Sequence, residues 1–127
     1  MIRAAIISPL ALAACDTGSS PEAGVLPEYR GAETRMLDPT ILAVAVEMSG
    51  PVAEADITAY ARCVAARATR EQDAGFARHL RTNLQEKGGV WSADAVYTIS
   101  PSLPRGVAPI DAEVELATCA ENGIPTV

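Results

Sequence analysis

Few side chains in this 127-residue chain could do chemistry: three cysteines (Cys15, Cys63, Cys119), one histidine (His79) and the acidic triplet Asp111, Glu113 and Glu115. His79 lies close to Arg78 and Arg81, and a catalytic base would need a nucleophile and an orienting group that no motif supplies. With a single His and two widely separated cysteines after Cys15, no compact zinc pattern exists. The triplet, read as a strand, would place three carboxylates on one face at two-residue spacing. Calcium needs further oxygen ligands and a loop to carry them, so a solvated acidic face is the expectation. Patterns such as SxxK, GxSxG, CxxC and Gly-rich phosphate loops are absent from the sequence. No catalytic residue, metal or cofactor is therefore assigned. Trp91 and Tyr97 are a possible interface pair, because aromatics anchor recognition surfaces. They are two of only five aromatic residues, so the core competes for them.

The setting of Cys15 is the most specific signal. Residues 1–14 form a leader, with Arg3 as a positive start and Ala4–Ala14 as a short apolar run broken by Pro9. Two processing routes fit: an Ala11-Leu12-Ala13 site for ordinary secretory cleavage, or a cut before Cys15. The tetrad Leu12-Ala13-Ala14-Cys15 resembles the lipobox of bacterial lipoproteins. That resemblance implies a diacylglycerol-modified Cys15 sulfur, usually with an acylated new N-terminus. Cysteine parity favours this route, since lipidation uses Cys15 and leaves Cys63 and Cys119 to pair in an oxidising compartment. Each buried acyl methylene contributes about 0.8 kcal/mol, and several chains on one residue anchor stably. In the Gram-negative class, Asp16 after the anchor leans towards inner-membrane retention, with the outer membrane as the alternative. No later apolar run approaches the ~20 residues that span a bilayer.

Behind the anchor, residues 15–37 are rich in Gly, Pro, Ser and Glu and lack periodicity, which reads as a flexible tether. A single domain is expected over residues 38–127. "TILAVAVEM" (40–48) is a β-branched apolar run, consistent with a strand covered on both sides. "VAEADITAYARCVAARATRE" is helical: Ile57, Tyr60, Ala61, Val64 and Ala68 share one face, with Glu54 and Asp56 in the first turn. Residues 76–84 and 92–100 form a hairpin about Gly88-Gly89, the alternative being a second helix over 73–87. "IDAEVEL" (110–116) alternates strictly and reads as a half-exposed strand ending just before Cys119. The resulting fold class is α+β: one main helix on a small antiparallel sheet, β-α-β-β-β. This element order is similar to that of cystatin-type sheets. The C-terminal block also resembles small Gram-negative lipoproteins of uncharacterised function.

The net charge of −6 argues against a nucleic-acid binder, which needs a basic face. Arg62, Arg67, Arg70, Arg78 and Arg81 make residues 53–87 locally basic, and lipid headgroups below the anchor are a possible counterpart. Together these features predict a lipid-anchored periplasmic accessory protein that binds an envelope protein. A periplasmic small-ligand or peptide-binding module is the alternative.

Overall fold

The computed structural model describes residues 26–106 and 108–127. The leader, Cys15 and Asp16 lie outside the described residues. Elements follow in the order β1 (Glu28–Asp38), β2 (Ile41–Ser49), α1 (Glu54–Glu71), β3 (Phe76–Lys87), β4 (Val90–Ser100), β5 (Ile110–Asp111) and α2 (Ala112–Glu121). The fold is α+β. One antiparallel sheet, ordered β1-β2-β4-β3-β5, carries α1 across one face.

Two tight turns build most of the sheet. Gly88 and Gly89 stand at φ +57° and +83° between the paired residues Lys87 and Val90. Two successive left-handed residues give the turn sense that matches strand twist, which is why two glycines serve there. Between Asp38 and Ile41, Pro39 presets the turn, and the Asp38 carboxylate accepts bonds from the Thr40 amide (2.7 Å) and hydroxyl (3.1 Å). Those bonds hold the Asp38 carboxyl below its ordinary range, the Thr40 amide foremost.

The core lies between α1 and the inner face of the sheet. Ile57, Tyr60, Ala61, Val64, Ala65 and Ala68 of α1 meet Leu42, Val44, Val46 and Met48 of β2 and Ala93, Ala95, Tyr97 and Ile99 of β4. Leu42, Met48 and Ile57 are at most 1% exposed, and each such burial stabilises by roughly 1.5–3 kcal/mol. Alanines on the helix and on β4 let the two layers approach closely. Asp56 secures the start of α1 by accepting the Ala53 amide at 2.7 Å.

The main helix, the strand over 40–48 and the hairpin about Gly88-Gly89 are present, and residues 76–87 are strand, not helix. The strand over 40–48, expected to be covered on both sides, is covered by α1 on one face only, its Ile41, Ala43 and Ala45 face being open. Two further expectations need correction. Residues 28–37, expected in the tether, belong to β1, so the sheet starts at Glu28, before the expected domain boundary at residue 38, and the order opens β-β-α. Tyr29, Ala32 and Met36 turn inward and pack on the core, while bulges at Tyr29/Gly31 and Met36/Asp38 break the alternation that would have marked a strand. The second correction concerns "IDAEVEL". Only Ile110 and Asp111 pair in the sheet, and Ala112 onwards is helix. Asp111 caps that helix, accepting the amides of Glu113 (3.1 Å) and Val114 (3.3 Å).

Candidate functional site

The sheet has two faces, and α1 covers one. On the other, strand register stacks residues into rows that run across β1, β2, β4 and β3. One row is Arg35, Ala43, Val96 and Arg81; the next is Glu33, Ala45, Asp94 and Asn83. Adjacent strands are about 4.8 Å apart, so Arg35 and Arg81 stand roughly 14 Å from each other at the backbone. Small central residues between long flanking ones make a trough. Ala43, Ala45, Val96 and Asp94 form its floor, and Arg35, Leu37 and Arg81 rise beside it. Two adjoining hollows occupy it, of about 720 and 550 Å³, sharing Glu33, Ala45 and Asp94. Arg30 and Glu47 line the second. Glu33, Arg35, Arg81 and Asp94 are all exposed, and among the described residues none of them is in an ion pair.

The residues singled out from the sequence fall elsewhere. Cys63 on α1 and Cys119 on α2 form a disulfide, with Cα atoms 6.0 Å apart, and both are buried. The Glu115 carboxylate lies with the two sulfurs inside a 4.8 Å group. The sulfurs are bonded to each other and so hold no thiolate for a metal. Glu115 instead meets Arg62 at 3.0 Å, and Glu113 meets Arg70 at 3.4 Å. The acidic triplet is therefore not a strand face: Asp111 caps α2, and the two glutamates pair α2 with α1.

Trp91 and Tyr97 both turn towards α1, away from the trough. Tyr97 is 2% exposed, and Trp91 is half-buried against the core. Burial pushes the Tyr97 phenol up to about 12, with Arg62 lowering it and Glu115 raising it to smaller extents. Tyr97 is thus core structure, and Trp91 packs against the core with part of its surface exposed. Edge-on to Tyr97, with centroids 5.4 Å apart, sits the exposed His79 ring. Its Nε2 is 2.6 Å from the Thr82 hydroxyl. Both side chains belong to β3, and neither lines the two hollows of the trough.

The locally basic stretch splits in two. Arg62, Arg67 and Arg70 are paired with Glu115, Glu71 and Glu113 along the helices. Arg78 and Arg81 stand on the open sheet face, where Arg78 shares a register position with Thr98. Sequence reasoning missed the trough and its charged rows. Residues 28–37 supply one wall, and recognising that strand was the missing step. Among the described residues no helix is long and apolar enough to cross a membrane.

Comparison with known proteins gives two matches. The model of the YNQ4 C-terminal domain family matches residues 29–123, which span β1 through the end of α2. A Paracoccus denitrificans protein described as "Uncharacterized 26.9 kDa protein in nqo8 5'region" is 29% identical over 86 residues. The aligned part is 68% of this chain and 34% of that relative, so the chain spans about a third of the relative's length. No solved structure matches.

Proposed function

This chain belongs to the YNQ4 C-terminal domain family, and from that premise we propose that it is a binding module of the bacterial cell envelope. It holds a protein partner on the open face of its sheet, and it binds rather than catalyses. The observation that carries this reading is the trough: a sheet face four strands wide, with small residues on its floor and unpaired charges beside them. A small-ligand site would bury most of its ligand in a concave, mainly apolar pocket. This trough is shallow and charged, which suits an extended protein surface better. Cys15, lipidated, tethers the module to the periplasmic face of a membrane, the inner membrane being favoured through Asp16. The partner is then an envelope protein at that same surface.

A photo-crosslinking residue at Ala45, in the full chain in its own membranes, tests the reading. It should yield a covalent protein adduct, while the same group at the exposed Thr58 on α1 should not. Absence of any adduct at Ala45 and at Ala43 refutes the open face as the docking surface. The anchor is tested separately by intact mass: the mature chain should begin at an acylated Cys15, and one beginning at Ala14 refutes it.

A further inference from the structure

The charges on the open face form a pattern that matches itself. Arg35 and Arg81 share one cross-strand row, and Glu33 and Asp94 share the next. Successive outward residues on a strand are about 6.8 Å apart, so two positive charges lie directly beside two negative ones. Consider a two-fold axis in the plane of contact, running along the rows and between them. It reverses strand direction but keeps each strand over its own copy. Arg35 of one chain then faces Glu33 of the other, and the reverse contact follows by symmetry. Arg81 reaches the Asp94 carboxylate one strand over. An axis along the strands would instead set like charges against each other. Of these two axes, the one along the rows brings opposite charges together, and a two-fold axis makes the contact closed and isologous.

Side-chain size fits the same arrangement. Sheets packed face to face stand about 10 Å apart. Ala43 and Ala45 at the centre leave space for that approach, and Ile41 and Val96 supply apolar area beside them. Arg30, at the β1 bulge, lies on the rim of the acidic row, outside the matched set. The free edge of β1 is a poorer place for self-association, because two bulges bend it away from continuous pairing.

We propose that the partner on the open face is a second copy of this chain, related by that two-fold axis. The inference rests on the reading of this face as a protein-docking surface and adds the identity of the occupant.

Two charge variants test it, all four positions being exposed. Arg35→Glu/Arg81→Glu makes the charges of the two matched rows wholly acidic, and Glu33→Arg/Asp94→Arg makes them wholly basic, while Arg30, Glu47 and Arg78 on the same face stay as they are. The full chain is co-expressed with two different affinity tags, extracted in neutral detergent, and recovered through one tag while the other is measured. Circular dichroism of each variant confirms the fold. Natural sequence with itself should co-purify, with recovery falling at least tenfold between 50 and 500 mM salt. Acidic with acidic, and basic with basic, should each fall at least tenfold. Acidic mixed with basic should recover the natural level, since every contact in that pair is attractive. Equal recovery in all combinations, or none for the natural pair, overturns the proposal. An Ala45 adduct to a different protein, with no self-adduct, also overturns it while leaving the docking face intact. No adduct of any kind removes both readings.

Discussion

Breaking the Cys63–Cys119 bridge tests how α2 is held. The two residues are 56 apart in sequence, and the chain-entropy model gives about 4 kcal/mol for closing a loop of that size. For a domain near 100 residues, that corresponds to a fall in melting temperature of roughly 15–30 °C. Local structure makes the loss larger at one place than elsewhere. α2 has 10 residues, below the ~12–15 at which an isolated helix begins to persist in water. Its other ties include the Ala112 amide, which donates to the Gly75 carbonyl at 2.9 Å. They also include the Arg62–Glu115 and Arg70–Glu113 pairs, both partly exposed, and such pairs contribute about 0–1 kcal/mol each. Within α2 only Ala112 and Cys119 are buried. Reduction should therefore release α2 before the sheet unfolds. The assay is urea unfolding followed by far-ultraviolet circular dichroism, on the oxidised chain, the reduced chain and Cys63→Ala/Cys119→Ala. The reduced chain keeps both sulfurs in place, so it separates loss of the crosslink from loss of buried volume. Both altered forms should lose about 4 kcal/mol. The reduced form should also lose about a third of its helical signal before the main transition, α2 having 10 residues beside the 18 of α1. A loss below about 1 kcal/mol with the helical signal intact would refute the argument.

Three further outcomes are expected. Tyr97 keeps its proton in the fold until about pH 12, against about 10 when unfolded. Its contribution is whole below pH 10 and is lost as pH rises through 12, about 3 kcal/mol in all; urea midpoints at pH 8 and 11.5 should show that loss shrinking in Tyr97→Phe. Burial raises Tyr29 and Tyr60 as well, Asp56 adding to the first and Tyr29 to the second, so an unchanged pH dependence in Tyr97→Phe would shift the effect to them. Asp111→Ala removes the cap of α2 and should cost about 1 kcal/mol in urea unfolding, and no change would mean that the cap is redundant with the disulfide. Gly89→Val puts a branched side chain at φ +83° and should destabilise by at least about 1–2 kcal/mol. Gly89→Asn should cost less in the same urea assay, because asparagine tolerates that region, and equal losses for the two would refute the backbone argument.

How much of this was legible in the sequence depended on where the deciding contacts lie. α1 was readable because Ile57, Tyr60, Ala61, Val64 and Ala68 repeat at the helical period and all face the sheet. The β3–β4 hairpin was readable because residues 92–100 alternate as a strand that needs a partner, although Gly88 alone would equally suit the end of a helix. β1 was missed because each bulge shifts the in-out alternation by one residue, which erases period two. α2 was misread because Ile110, Ala112, Val114 and Leu116 alternate as a strand would. What decides for helix there is the Asp111 cap together with a bridge and two ion pairs to α1, and those partners lie more than 40 residues away. The trough was invisible for a related reason. Arg35, Ala43, Val96 and Arg81 become neighbours only once four strands are in register.

The position of β4 between β2 and β3 has a consequence for the order in which the molecule can assemble. Ribosomes deliver the chain from its N-terminus, so β1, β2 and α1 exist first as a two-stranded hairpin and a helix. Leu42, Val44, Val46 and Met48 then have little to cover them along one side of β2, because their sheet neighbour starts at Val90. The seam in the middle of the sheet thus stays open until residues 90–100 arrive, and it closes between residues about 40–57 apart. Long-range pairing of this kind is slow compared with helix or hairpin formation, and the exposed edge of β2 is open to wrong partners meanwhile. A chain stopped before residue 90 leaves that seam permanently open, and aggregation is its expected fate.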